Sequence, residues 1–169
     1  SIAVRTARAF TGKDKVLFCG YHGWHDWYLS SNIANPDNLN QQLLTGLSSI
    51  GVPSNLRDTA IPFQYNDIDE FKKLINENRG QIAAVFMEPM RSSNPKEGYL
   101  EERREITSSE NIVLIFDEIT SGFRINLGGV HMSFGVTPDI AVFGKALGNG
   151  YPISAMIGTT EVLPAIQNT

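Results

Sequence analysis

The sequence predicts an α/β fold, a mostly parallel β-sheet flanked by helices. Three observations carry that expectation. Short, nearly unbroken apolar runs recur along the chain: "KVLFC" (15–19), "IAAVFMEP" (82–89), "NIVLIFDE" (111–118) and "PDIAVFGK" (138–145). Runs of this length without alternation are typical of strands buried on both faces. Segments of helical period separate them, the grammar of repeated βα units. Each run also stops at residues able to do chemistry, and open parallel sheets gather ligands outside the carboxyl ends of their strands.

The elements follow in order. Ala3, Ala7 and Phe10 recur at helical spacing and Gly12 is placed as a C-terminal cap, so residues 1–11 read as a helix. "KVLFC" is the first buried strand, and it opens into "CGYHGWHDWY" (19–28). Residues 31–58 are rich in Asn, Ser, Gly and Pro and read as a long surface excursion. "DIDEFKKLINENRG" sets Ile68, Phe71, Leu74 and Ile75 on one face and ends at Gly80, a second helix. The strand at 82–89 ends at Glu88 and a proline, "EERREITSSE" is a polar helix, and the strand at 111–118 ends at Asp117 and Glu118. The strand at 138–145 ends at Lys145.

At 169 residues the chain has the size of one domain. Its 41% hydrophobic and 19% charged residues match a soluble globular protein. The net charge is −4 with basic residues scattered, which argues against a nucleic-acid surface. No apolar run approaches the roughly 18 residues of a membrane helix. The lone Cys19 has no partner for an internal disulfide and fits a reducing cytoplasm.

The strand ends hold the candidate chemistry. Lys145 in "FGKALGNGYP" reads either as a surface lysine with its stem on apolar surface or as a partly desolvated amine able to form a Schiff base. A phosphate loop of the GxxxxGK[ST] type is absent, because Ala146 follows the lysine. Asp117 closes the most apolar run, where a carboxylate is costly unless paired. It reads either as a salt bridge to Arg124 or as the acid that holds a cationic partner, a ring nitrogen or a metal, with Glu118 as its structural companion. His22, His25 and Asp26 offer zinc-ligand chemistry. Their spacing matches no zinc motif, however, and no cysteine pair or further histidine cluster supports them. The expectation is no metal. Trp24, Trp27 and Tyr28 read as core or interface aromatics, while Tyr21, just past the strand, is best placed to face a ligand. An imine-forming lysine, a carboxylate for a ring nitrogen and an aromatic platform together point to pyridoxal 5′-phosphate.

"IFDEITSGFR", "FGVTPDIAVFGKALGNGYP" and "GYHGWHDWY" resemble the large-domain motifs of class III pyridoxal-phosphate aminotransferases, within the glutamate-1-semialdehyde aminomutase-like branch. The resemblance runs unbroken through all 169 residues and implies the large domain of fold-type I enzymes. It implies that Lys145 is the internal-aldimine lysine and the base for the 1,3-proton shift, and that Asp117 pairs with the pyridinium nitrogen. Tyr21 would stack on one ring face and Ile119 would cover the other. His22 would support Asp117, and Glu88 the polar network beneath the ring. The activity implied is transamination or an aminomutase isomerisation on small amines, amino acids and carbonyl compounds. Family members are much longer, so residues 1–169 are expected to be a partial large domain without the N-terminal segment and the C-terminal small domain. The phosphate cradle would precede Ser1, and a threonine from the second subunit of a homodimer would follow Thr169. The contact to the ring hydroxyl falls on Ser93 or Asn94. Two rival readings are a non-catalytic fragment or pseudo-enzyme that keeps only the fold, and an α/β binding module with Lys145 on its surface.

Overall fold

The computed structural model describes residues 1–90 and 92–168. Its centre is a six-stranded sheet of order β2-β1-β3-β4-β5-β6. The strands are β1 (Lys15–Cys19), β2 (Ala60–Pro62), β3 (Ile82–Met87), β4 (Val113–Asp117), β5 (Ile140–Phe143) and β6 (Ala155–Gly158). All neighbours are parallel except β5 and β6, which run antiparallel. The chain leaves β1 toward β2 on one side and returns to β3 on the other, so direction of travel reverses at the β1/β3 boundary. A crevice opens at such a switch point, beyond the strand ends.

Helices cover both faces. On one, α1 (Ile2–Thr11) lays Ala3, Val4 and Ala7 against Val16, Phe18, Ala84, Phe86, Val113 and Ile115. On the other, α4 (Ile68–Glu77) and α5 (Tyr99–Ser109) pack Phe71, Ile75, Tyr99 and Leu100 against Leu17, Val85, Met87, Leu114 and Phe116. Alternate residues of one strand thus enter opposite cores, as the period of two demands. The expected elements form where the apolar runs place them. Gly12 closes α1 in the left-handed conformation (φ 67°), with its N–H on the Arg8 carbonyl. Asp67 caps α4, its carboxylate accepting from the Glu70 amide.

Several expectations need correction. Phe10 is 47% exposed, because it lies in the last turn of α1, beyond the stretch that touches the sheet. The excursion at 31–58 is not all surface: it follows the short helix α2 (Asp26–Leu29) and begins with α3 (Ser31–Ala34). Within it Leu39 is fully buried, and Asn32 ties it down by accepting from the Leu39 amide and donating to the Leu47 carbonyl. Two edge strands, β2 and β6, carry no apolar run long enough to announce them. Among the described residues no helix is long and apolar enough to cross a membrane.

Candidate active site at the carboxyl edge of the sheet

The opening aromatic stretch is built around His22. Gly20 and Gly23 take positive φ values of 106° and 96°, which turn the chain sharply away from β1. At Gly23 a Cβ would also lie 2.6 Å from the His25 Nε2, so the imidazole would have to shift to admit it. The turn sends His22 back over the sheet, where its ring meets Phe86 edge-on at 4.3 Å and lies nearly parallel to Trp27 at 6.2 Å. Trp27 and Tyr28 are core residues, and the Tyr28 hydroxyl donates to the Gly20 carbonyl. Trp24 is 77% exposed, so the two tryptophans have separate fates.

Both nitrogens of His22 are engaged. Nδ1 lies 2.8 Å from Asp117 Oδ2, and Nε2 lies 3.0 Å from the Cys19 carbonyl. A carbonyl only accepts, so Nε2 donates. With Asp117 ionised, Nδ1 must donate too, and the ring is then an imidazolium paired to a carboxylate. The other carboxylate oxygen accepts from the Ile119 amide at 3.0 Å. Asp117 is therefore 4% exposed yet fully held. Its partner is His22 and not Arg124, which instead donates to the Thr120 carbonyl. Among the described residues no three His, Cys, Asp or Glu side chains converge as metal ligands.

Asp117 opens onto a cavity of about 410 Å3 whose lining includes His22, Phe86, Ile119, Val142 and Met156, with the first residues of α1 along one side. Its walls are mostly apolar and its charge is concentrated in one carboxylate-imidazole pair. A larger hollow of about 610 Å3, lined in part by Arg5, Arg8 and Trp24, shares His25 with it but holds neither Asp117 nor Lys145.

The remaining candidates sit around this cavity without lining it. Tyr21 is half-buried and meets Tyr28 edge-on at 5.7 Å. Glu88 is buried, its carboxylate beside Gly20. Lys145 follows β5 as the first residue of a 3-10 turn and is exposed, so the desolvated amine expected from its strand-end position is not present within this chain. Its Nζ donates to the Thr120 hydroxyl at 2.9 Å, next to cavity-lining Ile119. Ser93 and Asn94 are both exposed.

Glu118 is the structural member of the acidic pair. It is wholly buried, accepting from the Ser121 hydroxyl and the His131 amide, with His131 Nδ1 at 2.8 Å. Burial pushes this carboxyl up, but the bonds from His131 and Ser121 outweigh it and hold the group below its ordinary value. Thr120, Ser121 and His131 are the residues sequence reasoning missed. Thr120 and Ser121 stand beside Asp117 in "DEITSG", and only that proximity could have flagged them.

The profile of the aminotransferase class-III family matches residues 1–169. The chain is 40% identical over 172 residues to 3-aminobutyryl-CoA aminotransferase of Cloacimonas acidaminovorans, covering 98% of this chain and 37% of that protein. It is 42% identical over 167 residues to glutamate-1-semialdehyde 2,1-aminomutase of Methanocaldococcus jannaschii, covering 95% and 38%. Among solved structures, the ω-transaminase from Sphaerobacter thermophilus superposes with a TM-score of 0.78 at 32% identity, over 96% of this chain and 38% of that one. A transaminase with pyridoxal phosphate bound gives 0.81 at 26% identity, over 96% and 38%. The chain thus spans well under half the length of the relatives it matches.

Proposed function

The chain belongs to the class-III aminotransferase family, and from that premise we propose that it serves amino-group transfer between small amines or amino acids and carbonyl compounds, with pyridoxal 5′-phosphate as cofactor. The observation that carries the reading is the buried Asp117 carboxylate, fixed by His22 and the Ile119 amide and facing an otherwise apolar cavity one strand away from Lys145. A flat ring with one cationic N–H suits such a hollow, because the carboxylate already sits desolvated and oriented for a single donor.

When bound, the cofactor supplies a carbonyl that condenses with amines and a protonated ring that draws electrons from the attached carbon. Asp117 would hold the ring nitrogen in its protonated form by accepting a hydrogen bond from its N–H. His22 keeps Asp117 aimed, since its Nδ1 lies 2.8 Å from Asp117 Oδ2. Ile119 and Phe86 exclude water from the ring's surroundings. Lys145 would offer the amine nucleophile and would serve as the base that holds and moves the proton of the reacting substrate carbon. Tyr21, outside the cavity lining in this structure, would have to turn inward to flank the ring, and Glu88 lies beside Gly20 in the turn after β1. The relatives include an aminotransferase and an aminomutase, and these roles are the same for transfer between two molecules or within one carbon skeleton.

In this reading residues 1–169 are the cofactor-binding large domain of a longer polypeptide. A homodimer is supported by exposed apolar side chains such as Ile125, Leu127, Tyr151 and Ile153, which are suited to burial against a second subunit. A cytoplasmic location is supported by the single, buried, reduced Cys19.

The test is chemical. The full natural chain is mixed with pyridoxal phosphate, reduced with borohydride and digested. The cofactor mass should appear on the peptide containing Lys145 and be absent from Lys145→Ala. An unmodified Lys145 in a folded sample overturns the proposal.

A further inference from the structure

Resting on that reading, we propose that Thr120 is a positioning residue for Lys145: its hydroxyl holds the lysine amine against the end of β4, ready for a carbonyl carbon. The Lys145 Nζ lies 2.9 Å from Thr120 Oγ1, although the two residues are 25 apart in sequence and the lysine is otherwise exposed. A free lysine in that position would spread over many rotamers.

The backbone is arranged around this bond. Lys145 has φ 42°, in the left-handed region that a lysine enters only when its surroundings impose it. Gly144 before it packs beside the turn after β4, within ordinary contact distance of the Ile119 side chain. The turn that presents Thr120 is fixed at several points. Asp117 Oδ1 accepts from the Ile119 amide, the Glu118 amide donates to the Val142 carbonyl, and the Glu118 side chain is anchored by Ser121 and His131. Arg124 donates to the Thr120 carbonyl, which fixes the backbone that carries the hydroxyl.

A hydroxyl suits the task better than a carboxylate. It accepts a hydrogen bond from the ammonium or from the neutral amine. In the neutral case the nitrogen lone pair stays free to attack, and no ion pair has to be broken first. Thr120 therefore orients the nucleophile without trapping it.

The experiment follows formation of the borohydride-trapped pyridoxal-phosphate adduct on Lys145 in the full natural chain, as a function of cofactor concentration. Thr120→Val, which removes the acceptor at nearly constant volume, should lower the limiting rate on the order of tenfold. The half-saturating concentration should stay unchanged, a split that general loosening of the site would not produce. Thr120→Ser should recover the wild-type rate within about twofold, since its hydroxyl is retained. A Thr120→Val rate equal to wild type, or a Thr120→Ser rate as low as the valine variant's, overturns the role of Thr120 and leaves the function standing. If the wild type forms no adduct on Lys145, the functional reading fails, and this inference fails with it.

Discussion

His22→Leu removes both donors from the centre of the site while keeping an apolar side chain of similar bulk against Phe86 and Trp27. In the wild type the His22 and Asp117 side chains are 0% and 5% exposed, so the pair is shielded from bulk water. Asp117 would keep one hydrogen bond, from the Ile119 amide, and would otherwise be a buried uncompensated charge. Breaking a buried pair from one side costs about 3–5 kcal/mol, a large part of the roughly 5–15 kcal/mol that holds a typical domain together. The expected result is a loss of that size in chemical denaturation of the cofactor-free protein near neutral pH. Asp117→Asn provides the control, because it removes the charge that His22 compensates. In the double variant no buried charge is left, so its cost should fall short of the sum of the single costs by about 1–3 kcal/mol. A cycle that closes to within about 0.5 kcal/mol, or a His22→Leu cost below about 1 kcal/mol, would refute the reasoning and place the pair among surface-like contacts of little energetic weight.

Further outcomes follow from other contacts. Glu118 has its folded-state carboxyl held below the ordinary value of 4.5, so its contribution is fully present above that pH and is lost as pH falls through the lower folded value. Glu118→Gln should accordingly be less stable at neutral pH and show a flatter loss of stability on acidification from pH 5 to 3, read by acid titration of the circular dichroism signal. At Lys145, glycine and alanine both delete the amine, but only glycine relieves the left-handed backbone. Lys145→Gly should be more stable than Lys145→Ala by about 1 kcal/mol, and the reverse order would mean the residue is not held at positive φ. Asp139 Oδ2 accepts from the Leu114 amide at 2.7 Å and from Arg104 at 2.9 Å. Asp139→Ala strands a strand amide and should cost about 1–3 kcal/mol. Asp139→Asn, which keeps an acceptor and loses mainly the ion pair, should cost under about 1 kcal/mol in the same denaturation assay.

The parts of the fold that could be read from the sequence are those where burial leaves a repeating signature. The strands β1, β3, β4 and β5 are apolar on both faces, and α1 and α4 show one apolar stripe each, so their types and places follow from period alone. The strands β2 and β6 are short and lie at the sheet edges, where Ala60–Pro62 and Ala155–Gly158 need no continuous apolar run. The convergence of Asp117 and Lys145 is likewise implied by strand-end grammar, since adjacent parallel strands bring their carboxyl ends together. Partner choice is not. Local pattern leaves Asp117 between nearby Arg124 and an external cation, and only the family resemblance sets His22 beside it. The folded chain supplies that histidine from 95 residues away, because the Gly20–Gly23 turn swings the imidazole over β3. The anchoring of Glu118 by His131 depends in the same way on a loop path that no local pattern encodes.

The two borders of the sheet differ in what they admit. At β2, Phe63 donates its amide to the Phe18 carbonyl, and alternation then turns the position of Pro62 outward, where a proline has no hydrogen to offer. The missing donor disfavours templated pairing at that border. The opposite border, β6, ends in no such stop and exposes over half of Ile157. Any additional strand, from another stretch of polypeptide or from a misassembled neighbour, is therefore directed to one side only, and the sheet can grow in a single direction.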